Sequence, residues 1–371
     1  DLGDQVQRLT AILRARGIGP GDRVILAMNN CAEWLASFLA VLGTGAICVP
    51  TNPGLRPPEM CNIANHCEPK LAILDAELVG HFAQAKVAFE SIVRGSNDAN
   101  DWRRLVSAAS PDPFVADVAD GDPALIFYPS GTTGLPKGVL LSHGAEIFTA
   151  TMVSEHIAVT PADCSIVMGS LAFIYPLVIN ALASIKGGAS VVLQDRFHPQ
   201  TVAEAVKQHR VTIMMGVPTM YVRLLEVEED AARRIGERMR LFVSGSAPLP
   251  AHVLEAFRNR YGHTILERYG MSETLMNISN PYVGERRPGS IGIPLPGVSV
   301  RNLDPDGNPV KDGETGELYV RGSNVFSGYW RRPEASAAAF RDGWFRTGDL
   351  AIRSADGYYT LQGRAGDLIL S

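Results

Sequence analysis

Cysteine is scarce in this chain: five in 371 residues, at Cys31, Cys48, Cys61, Cys67 and Cys164. A sparse, odd-numbered set argues against a disulfide framework and for a reducing, cytoplasmic setting. Cys61, His66 and Cys67 stand close together, but no second pair at zinc spacing accompanies them, so a buried helix face is the better reading. An excess of one charge is missing as well. With 34 basic and 39 acidic residues the net charge is −5, and no long basic stretch invites nucleic acid or an anionic membrane. Long hydrophobic runs are also lacking. The longest, Leu171 to Ile185, falls short of the ~20 residues that span a bilayer, and Pro176 and Asn180 interrupt it. It reads as a core helix. The opening residues do not read as a signal peptide, and none is expected there. Leu2, Val6, Leu9 and Leu13 already mark one face of an amphipathic helix, so the chain is expected to start inside a domain.

What is present is ordinary globular material, 46% hydrophobic and 20% charged, in a length that suits two or three subdomains. Short buried strands alternate with helices: "DRVILAM", then "CAEWLASFLAVLGTGA", "AICVPTN", "RPPEMCNIANHC" and "KLAILD". That alternation is the grammar of a parallel sheet with helical crossovers. Residues 91–120 are polar and weakly periodic and read as a surface connection. "ALIFYPS" is a strand leading into a glycine-rich stretch, and "GAEIFTATMVSEHI" is the helix after it. "ASVVLQD", "VTIMMGVP" and "LFVSGSAPL" supply further buried strands. From Tyr282 the texture turns to glycine, proline and short β runs with turns at "DPDG" and "KDGETG". The expected fold class is α/β, with two doubly wound sheet subdomains and a small antiparallel β subdomain. The expected boundaries are 1–120, 121–281 and 282–365, with 366–371 as a hinge.

"FYPSGTTGLPKGVLLSH", Phe127 to His143, is the densest patch of small and hydroxyl residues. Gly131 and Gly134 let backbone approach a ligand. Ser130, Thr132 and Thr133 add hydroxyls, the peptide N–H groups can form an anion nest, and Lys137 adds a cation. The Walker pattern fails: counted from Gly131, Pro136 replaces its second glycine and Gly138 its magnesium-binding Ser or Thr.

"YPSGTTGLPKGV" resembles the phosphate loop of the adenylate-forming superfamily, which includes acyl-CoA synthetases, luciferases and peptide-synthetase adenylation domains. Further stretches match in the same order: "MMGVPTMYVRLL", "VSGSAPLP", "LERYGMSET", "GELYVRG", "GYW", "DGWFRTGDL" and "LQGR". The similarity covers nearly the whole chain. It implies an ATP-dependent, AMP-forming carboxylate–CoA ligase using ATP, Mg2+ and coenzyme A. Under it, Ser130, Gly131, Thr132, Thr133, Gly134 and Lys137 hold phosphates, with Thr132, Lys137 and Glu273 as the catalytic set. Glu273 holds magnesium through a hard carboxylate oxygen. Gly245, Ser246, Ala247 and Pro248 form the adenine turn, and Tyr269 stacks on the base beside Gly270 and Met271. Ser272 reaches the α-phosphate, Asp349 accepts from the ribose hydroxyls, and Arg364 contacts ribose or phosphate. Plainer roles stand beside these: a solvated Glu273, a core Tyr269, a capping Asp349. His143 and His209 are read as structural, because a carboxylate is already ionised at pH 7 and needs no base.

The resemblance assigns Tyr175, Val217, Tyr221, Met276 and Arg286 to the acyl pocket, with Gly245 and Gly270 beside them. "ERYGMSETLMNISNPYVGERRPG" is partly similar to malonyl-CoA synthetases, where an arginine at the position of Arg286 holds the distal carboxylate. Against that, "RRPGSIG" also occurs with apolar substrates, leaving Arg286 and Arg287 to brace the β subdomain. Phe173, Ile174 and Tyr175 stand where malonyl enzymes carry histidines. A small dicarboxylate, an aromatic acid and a medium-chain acid all stay open. So do a carrier-protein pantetheine in place of CoA, a luciferase-like oxygenase, a non-catalytic nucleotide-binding module, and a homodimer. The family's hinge falls at Gly366, and its C-terminal lysine would lie past Ser371. A fragment that binds ATP but adenylates weakly is therefore expected.

Overall fold

The computed structural model describes residues 1–129 and 137–366. The chain divides into two compact units. One holds Asp1–Ala145, Ser170–Ile174 and Phe326–Pro333; the other holds Glu146–Gly169, Tyr175–Val325 and Glu334–Ser371.

In the first unit, strands β1 (Arg23–Ala27), β2 (Ile47–Pro50), β3 (Leu71–Asp75), β4 (Glu90–Arg94), β5 (Pro123–Phe127) and β6 (Val139–Ser142) form one sheet in the order β6-β5-β2-β1-β3-β4. β1 through β5 pair in parallel. Helices α1 (Leu2–Ala15), α2 (Ala32–Gly43) and α3 (Pro57–Cys67) fall where the hydrophobic periodicity puts them. Asp1 caps α1 by accepting from the Gly3 N–H, and Leu9 and Leu13 are fully buried. Residues 91–120 are more ordered than their polarity suggests, for they carry β4 and helix α4 (Trp102–Ala108). Asp101 caps α4, and the buried Trp102 indole donates to Ser37 Oγ at 2.9 Å. That contact closes a separation of 65 residues, which no local pattern reveals.

The strand leading into the glycine-rich stretch belongs to this sheet, since Leu125 pairs with Cys48 of β2. From the sequence it opens a second subdomain. β6 was not apparent from the sequence either. It pairs antiparallel with β5, Phe127 opposite Val139, so the glycine-rich stretch joins hairpin neighbours before helix α5 (His143–His156) begins.

In the second unit, β7 (Cys164–Val167), β8 (Ser190–Leu193), β9 (Ile213–Gly216), β10 (Leu241–Ser244), β11 (Leu266–Tyr269), β12 (Ile278–Ser279) and β13 (Ile293–Pro294) form a second sheet. Its order is β13-β12-β11-β10-β9-β7-β8, and among the described strands β12 alone runs against the others, pairing antiparallel with β11 on one side and β13 on the other. The run read as a core helix does form one: Tyr175–Leu182 is a π-helix continued by Ala183–Lys186, with Leu177, Val178 and Ile179 buried. An aromatic group fills the core around β10 and the helix Ala251–Tyr261, Phe257 stacking on Tyr261 at 4.2 Å with Phe242 edge-on to both. Offset and edge contacts of this kind add to the area they bury.

The same unit carries an antiparallel sheet of β14 (Val298–Leu303), β15 (Thr315–Gly322), β17 (Phe340–Arg341), β18 (Trp344–Arg353) and β19 (Tyr359–Arg364). A short strand β16 (Gly328–Tyr329) leaves this region in sequence and joins the first unit's sheet outside β6. Among the described residues no helix is long and apolar enough to cross a membrane, and no group of three or more His, Cys, Asp or Glu could hold a metal ion. All five cysteines are free thiols.

Candidate active site

Successive residues of a strand face opposite ways, and β11 uses both sides. Tyr269 at its end is buried, and its hydroxyl donates to Asp349 Oδ2 at 2.6 Å. Asp349 on β18 sits opposite Arg364 of β19, whose Nε lies 2.8 Å from Asp349 Oδ1. Three residues that the sequence assigned to base and ribose are thus brought together on three strands. Burial, aided by the Asp349 charge, holds the Tyr269 hydroxyl well above its ordinary pKa, so it stays a donor. Arg364 is mostly exposed and Asp349 mostly covered. The carboxylate is therefore fixed from the inside and approachable on the arginine side.

After Tyr269 the chain turns sharply. A Cβ on Gly270 would stand 2.0 Å from the Leu275 carbonyl oxygen, so this approach admits only glycine. Leu275 itself takes φ 53°. The turn between them carries Met271, Ser272 and Glu273, all half-buried. It is braced from a distance by Asn324, fully buried, whose Nδ2 donates to the Thr274 carbonyl at 2.6 Å, the Asn277 Oδ1 at 2.9 Å and the Met276 carbonyl at 3.2 Å. Asn324 escaped the sequence reading. Its signal was a lone amide inside "RGSNVFSGYW", which only the folded contacts explain.

β10 delivers the next segment. Gly245 is buried, while Ser246, at φ 70°, Ala247 and Pro248 are exposed. A Cβ on Gly245 would lie 2.7 Å from the guanidinium carbon of Arg268. Arg268, on the opposite side of β11 from Tyr269, is only 5% exposed. Its guanidinium stacks 3.6 Å from the centre of the Tyr175 ring. Its Nε and Nη2 are buried with no hydrogen-bond partner among the described residues. Buried donors are nearly always satisfied, and those that are not call for an explanation. Glu267, facing the other way, accepts long bonds from the Leu249 and Gly289 N–H groups, and burial pushes its carboxyl up to about 7.

The residues expected in the acyl pocket fare differently. Tyr175 covers Arg268 and donates to the Val243 and Gly216 carbonyls at 3.1 and 3.2 Å. Val217 is half-buried at the start of the helix Pro218–Leu224. Tyr221 is fully buried, packed edge-on against Phe242 and Phe257, with its hydroxyl donating to the Val243 carbonyl at 2.6 Å. Met276 is buried behind the Asn324 clamp. Each nitrogen of Arg286 donates to a main-chain carbonyl, those of Pro281, Thr264 and Tyr282. That is the geometry of a brace, though onto Thr264 and Pro281 as much as onto the β subdomain expected from sequence. Arg287 pairs with Glu285 and Asp356.

Ser130, Gly131, Thr132, Thr133 and Gly134 lie outside the described residues. Lys137, just after them in the first unit, is exposed, its Nζ 5.6 Å from the centre of the Tyr329 ring. Gly366 is an exposed turn residue.

Residues 1–330 match the family model described as AMP-binding enzyme. Over 374 aligned residues the chain is 34% identical to a feruloyl-CoA synthase of an Amycolatopsis species, covering all of this chain and 74% of that protein. It is 35% identical to the sulfoacetate–CoA ligase of Cupriavidus necator, covering 96% of this chain and 70% of that one. Among solved structures, ATP-bound MatB from Rhodopseudomonas palustris superposes with a TM-score of 0.92 at 34% identity, over the whole of this chain and 74% of that one. Fold, motif order and relatives agree, and the chain belongs to the AMP-binding enzyme family.

Proposed function

We propose that this chain is an AMP-forming carboxylate–CoA ligase whose acid carries a second anionic group away from the reacting carboxylate. In the first step a carboxylate oxygen bonds to the α-phosphorus of ATP and pyrophosphate leaves. In the second, a thiolate sulfur bonds to the acyl carbon and AMP leaves. Both reactants of the first step are anions, so the site must neutralise charge and hold them in line. Ser130–Gly134 and Lys137 are assigned to the phosphates, Tyr269 and the segment Gly245–Pro248 to adenine, and Asp349 with Arg364 to ribose. Gly270 and Met271 stand beside the base, and Ser272 beside the α-phosphate. Asp349 fits its task because its two oxygens already accept from a hydroxyl and a guanidinium, groups that ribose hydroxyls can replace one for one. Glu273 is the residue that would hold magnesium, which when bound offsets phosphate charge.

The single observation behind the second anionic group is Arg268: a buried guanidinium with unpartnered Nε and Nη2. A carboxylate or sulfonate presents two oxygens to such a pair of donors. A purely aromatic or aliphatic acid would leave them bare. The relatives span both kinds of acid, a sulfoacetate ligase and a feruloyl-CoA synthase. Five free thiols suit a cytoplasmic setting.

The test is ATP–pyrophosphate exchange with malonate, sulfoacetate, benzoate, ferulate and octanoate, followed by CoA or a phosphopantetheinyl carrier protein as acceptor. Exchange with the doubly anionic acids and thioester formation on CoA are expected. Exchange with ferulate, benzoate or octanoate alone would refute the second anionic group, and transfer to the carrier alone would refute CoA as acceptor.

A further inference from the structure

We propose that Tyr329, nearly two hundred residues downstream of the glycine-rich stretch, is the positioning residue for Lys137. The proposal rests on the reading that this chain binds ATP with Lys137 toward the phosphates. A lysine beside a hairpin has four rotatable bonds and much rotamer freedom to lose, so it is a poor phosphate ligand unless its reach is narrowed. Here two features narrow it. The backbone is pinned, because the Trp330 N–H donates to the Gly138 carbonyl at 2.7 Å and the Ser327 N–H to the Leu140 carbonyl at 2.8 Å. Gly138 has no room for a side chain: a Cβ would lie 2.6 Å from Ile126 Cγ2 and 3.2 Å from Trp330 Cβ. The strand β16 thus fixes the main chain one residue beyond Lys137, with Tyr329 in register opposite Val139.

The second feature is the ring. Lys137 Nζ stands 5.6 Å from the Tyr329 ring centre, inside the range where an aromatic face attracts an ammonium. Tyr329 is itself set edge-on to Phe326 at 4.9 Å. Both partners belong to one compact unit, so the arrangement is built into that unit's sheet. An aromatic face attracts the ammonium without neutralising it, which leaves the full positive charge available to a phosphate.

The experiment is calorimetric titration of the full chain with Mg·ATP and, separately, with AMP, which lacks the β and γ phosphates. Tyr329→Leu is expected to weaken Mg·ATP about three- to fivefold, from the worth of an exposed cation–π pair, and to leave AMP unchanged. Tyr329→Phe, which keeps the face, should stay close to wild type. In a Lys137→Met background Tyr329→Leu should add nothing. Thermal unfolding checks that β16 still pairs, and Tyr329→Met, bulky without a π face, replaces leucine if it does not. An equal loss in both backgrounds, an equal loss for AMP, or a phenylalanine variant as weak as leucine would overturn the proposal alone. A wild-type chain that binds neither nucleotide would overturn the ATP reading and this proposal with it.

Discussion

Replacing Arg268 with methionine should make this protein more stable and less able to recognise its acid. The residue is 5% exposed, and two of its nitrogens have no partner among the described residues. An unsatisfied buried donor costs about 1–3 kcal/mol, so two cost roughly 2–6 kcal/mol. The Tyr175 face at 3.6 Å returns about 2 kcal/mol when desolvated. Methionine fills a similar length without a charge and adapts to irregular gaps. The balance favours Arg268→Met by about 2 kcal/mol, which for a unit of 150–250 residues corresponds to a rise in Tm of about 4–8 °C. Differential scanning calorimetry of both proteins, with and without millimolar malonate or sulfoacetate, checks this. The free variant should melt higher than the free wild type. Added acid should raise the wild type alone, because only the wild type gains paired donors on binding. A variant that melts lower without ligand would refute the reasoning, for it would mean that the guanidinium is already bonded within the fold.

Glu267, with its carboxyl pushed up to about 7 by burial, predicts a pH signature. Unfolded, it releases its proton near pH 4.3, while the folded chain keeps it until about 7, so stability falls across that window and is flat on either side. Glu267→Gln should abolish the slope and stabilise by about 3 kcal/mol at pH 8 while changing nothing near pH 4, as read from urea midpoints. Gly270→Ala forces a methyl against a carbonyl oxygen 2.0 Å away; a loss of about 3 kcal/mol is expected by chemical denaturation, and wild-type stability would show that the turn relaxes freely. Tyr269→Phe removes the 2.6 Å bond to Asp349 and should cost about 2 kcal/mol while keeping the ring. Its Mg·ATP affinity, measured by calorimetry, should stay within about threefold of wild type, since stacking on adenine needs the ring and not the hydroxyl.

Much of the architecture was written locally. Runs such as "VILA" and "LAILD" are apolar throughout because both faces of a parallel strand are covered, and the helices between them show clean periodicity. What failed was long-range. β4 is five residues with an exposed glutamate at its head, and Trp102 finds Ser37 only once the chain has folded. β6 is four residues beside a glycine, too short for its alternation to stand out. In the candidate site, motif residues Tyr269, Asp349 and Arg364 could be named from sequence, though not the bonds that join them. Arg286 and Arg268 show the limit most clearly. Both are arginines close to the same motif, and nothing in the sequence says that one spends its donors on carbonyls while the other keeps them. That distinction is made by Thr264 and Pro281 around the first and by Gly245 and Tyr175 around the second.

The hairpin that carries the glycine-rich stretch has a consequence for how a triphosphate would be tolerated there. In a Walker-type arrangement the strand passes straight into a helix, whose amino end contributes about half a positive charge. Here β6 intervenes between the stretch and α5, and four extended residues put about 13 Å of chain between them. If the triphosphate is held at this stretch, as proposed, the amino end of α5 would be withdrawn from it, and compensation would fall on peptide amides, the Lys137 ammonium and whatever counter-ion travels with the nucleotide. Affinity for the metal-free triphosphate should then collapse with rising ionic strength far faster than affinity for its magnesium complex, because screening acts most on exposed, mobile charge.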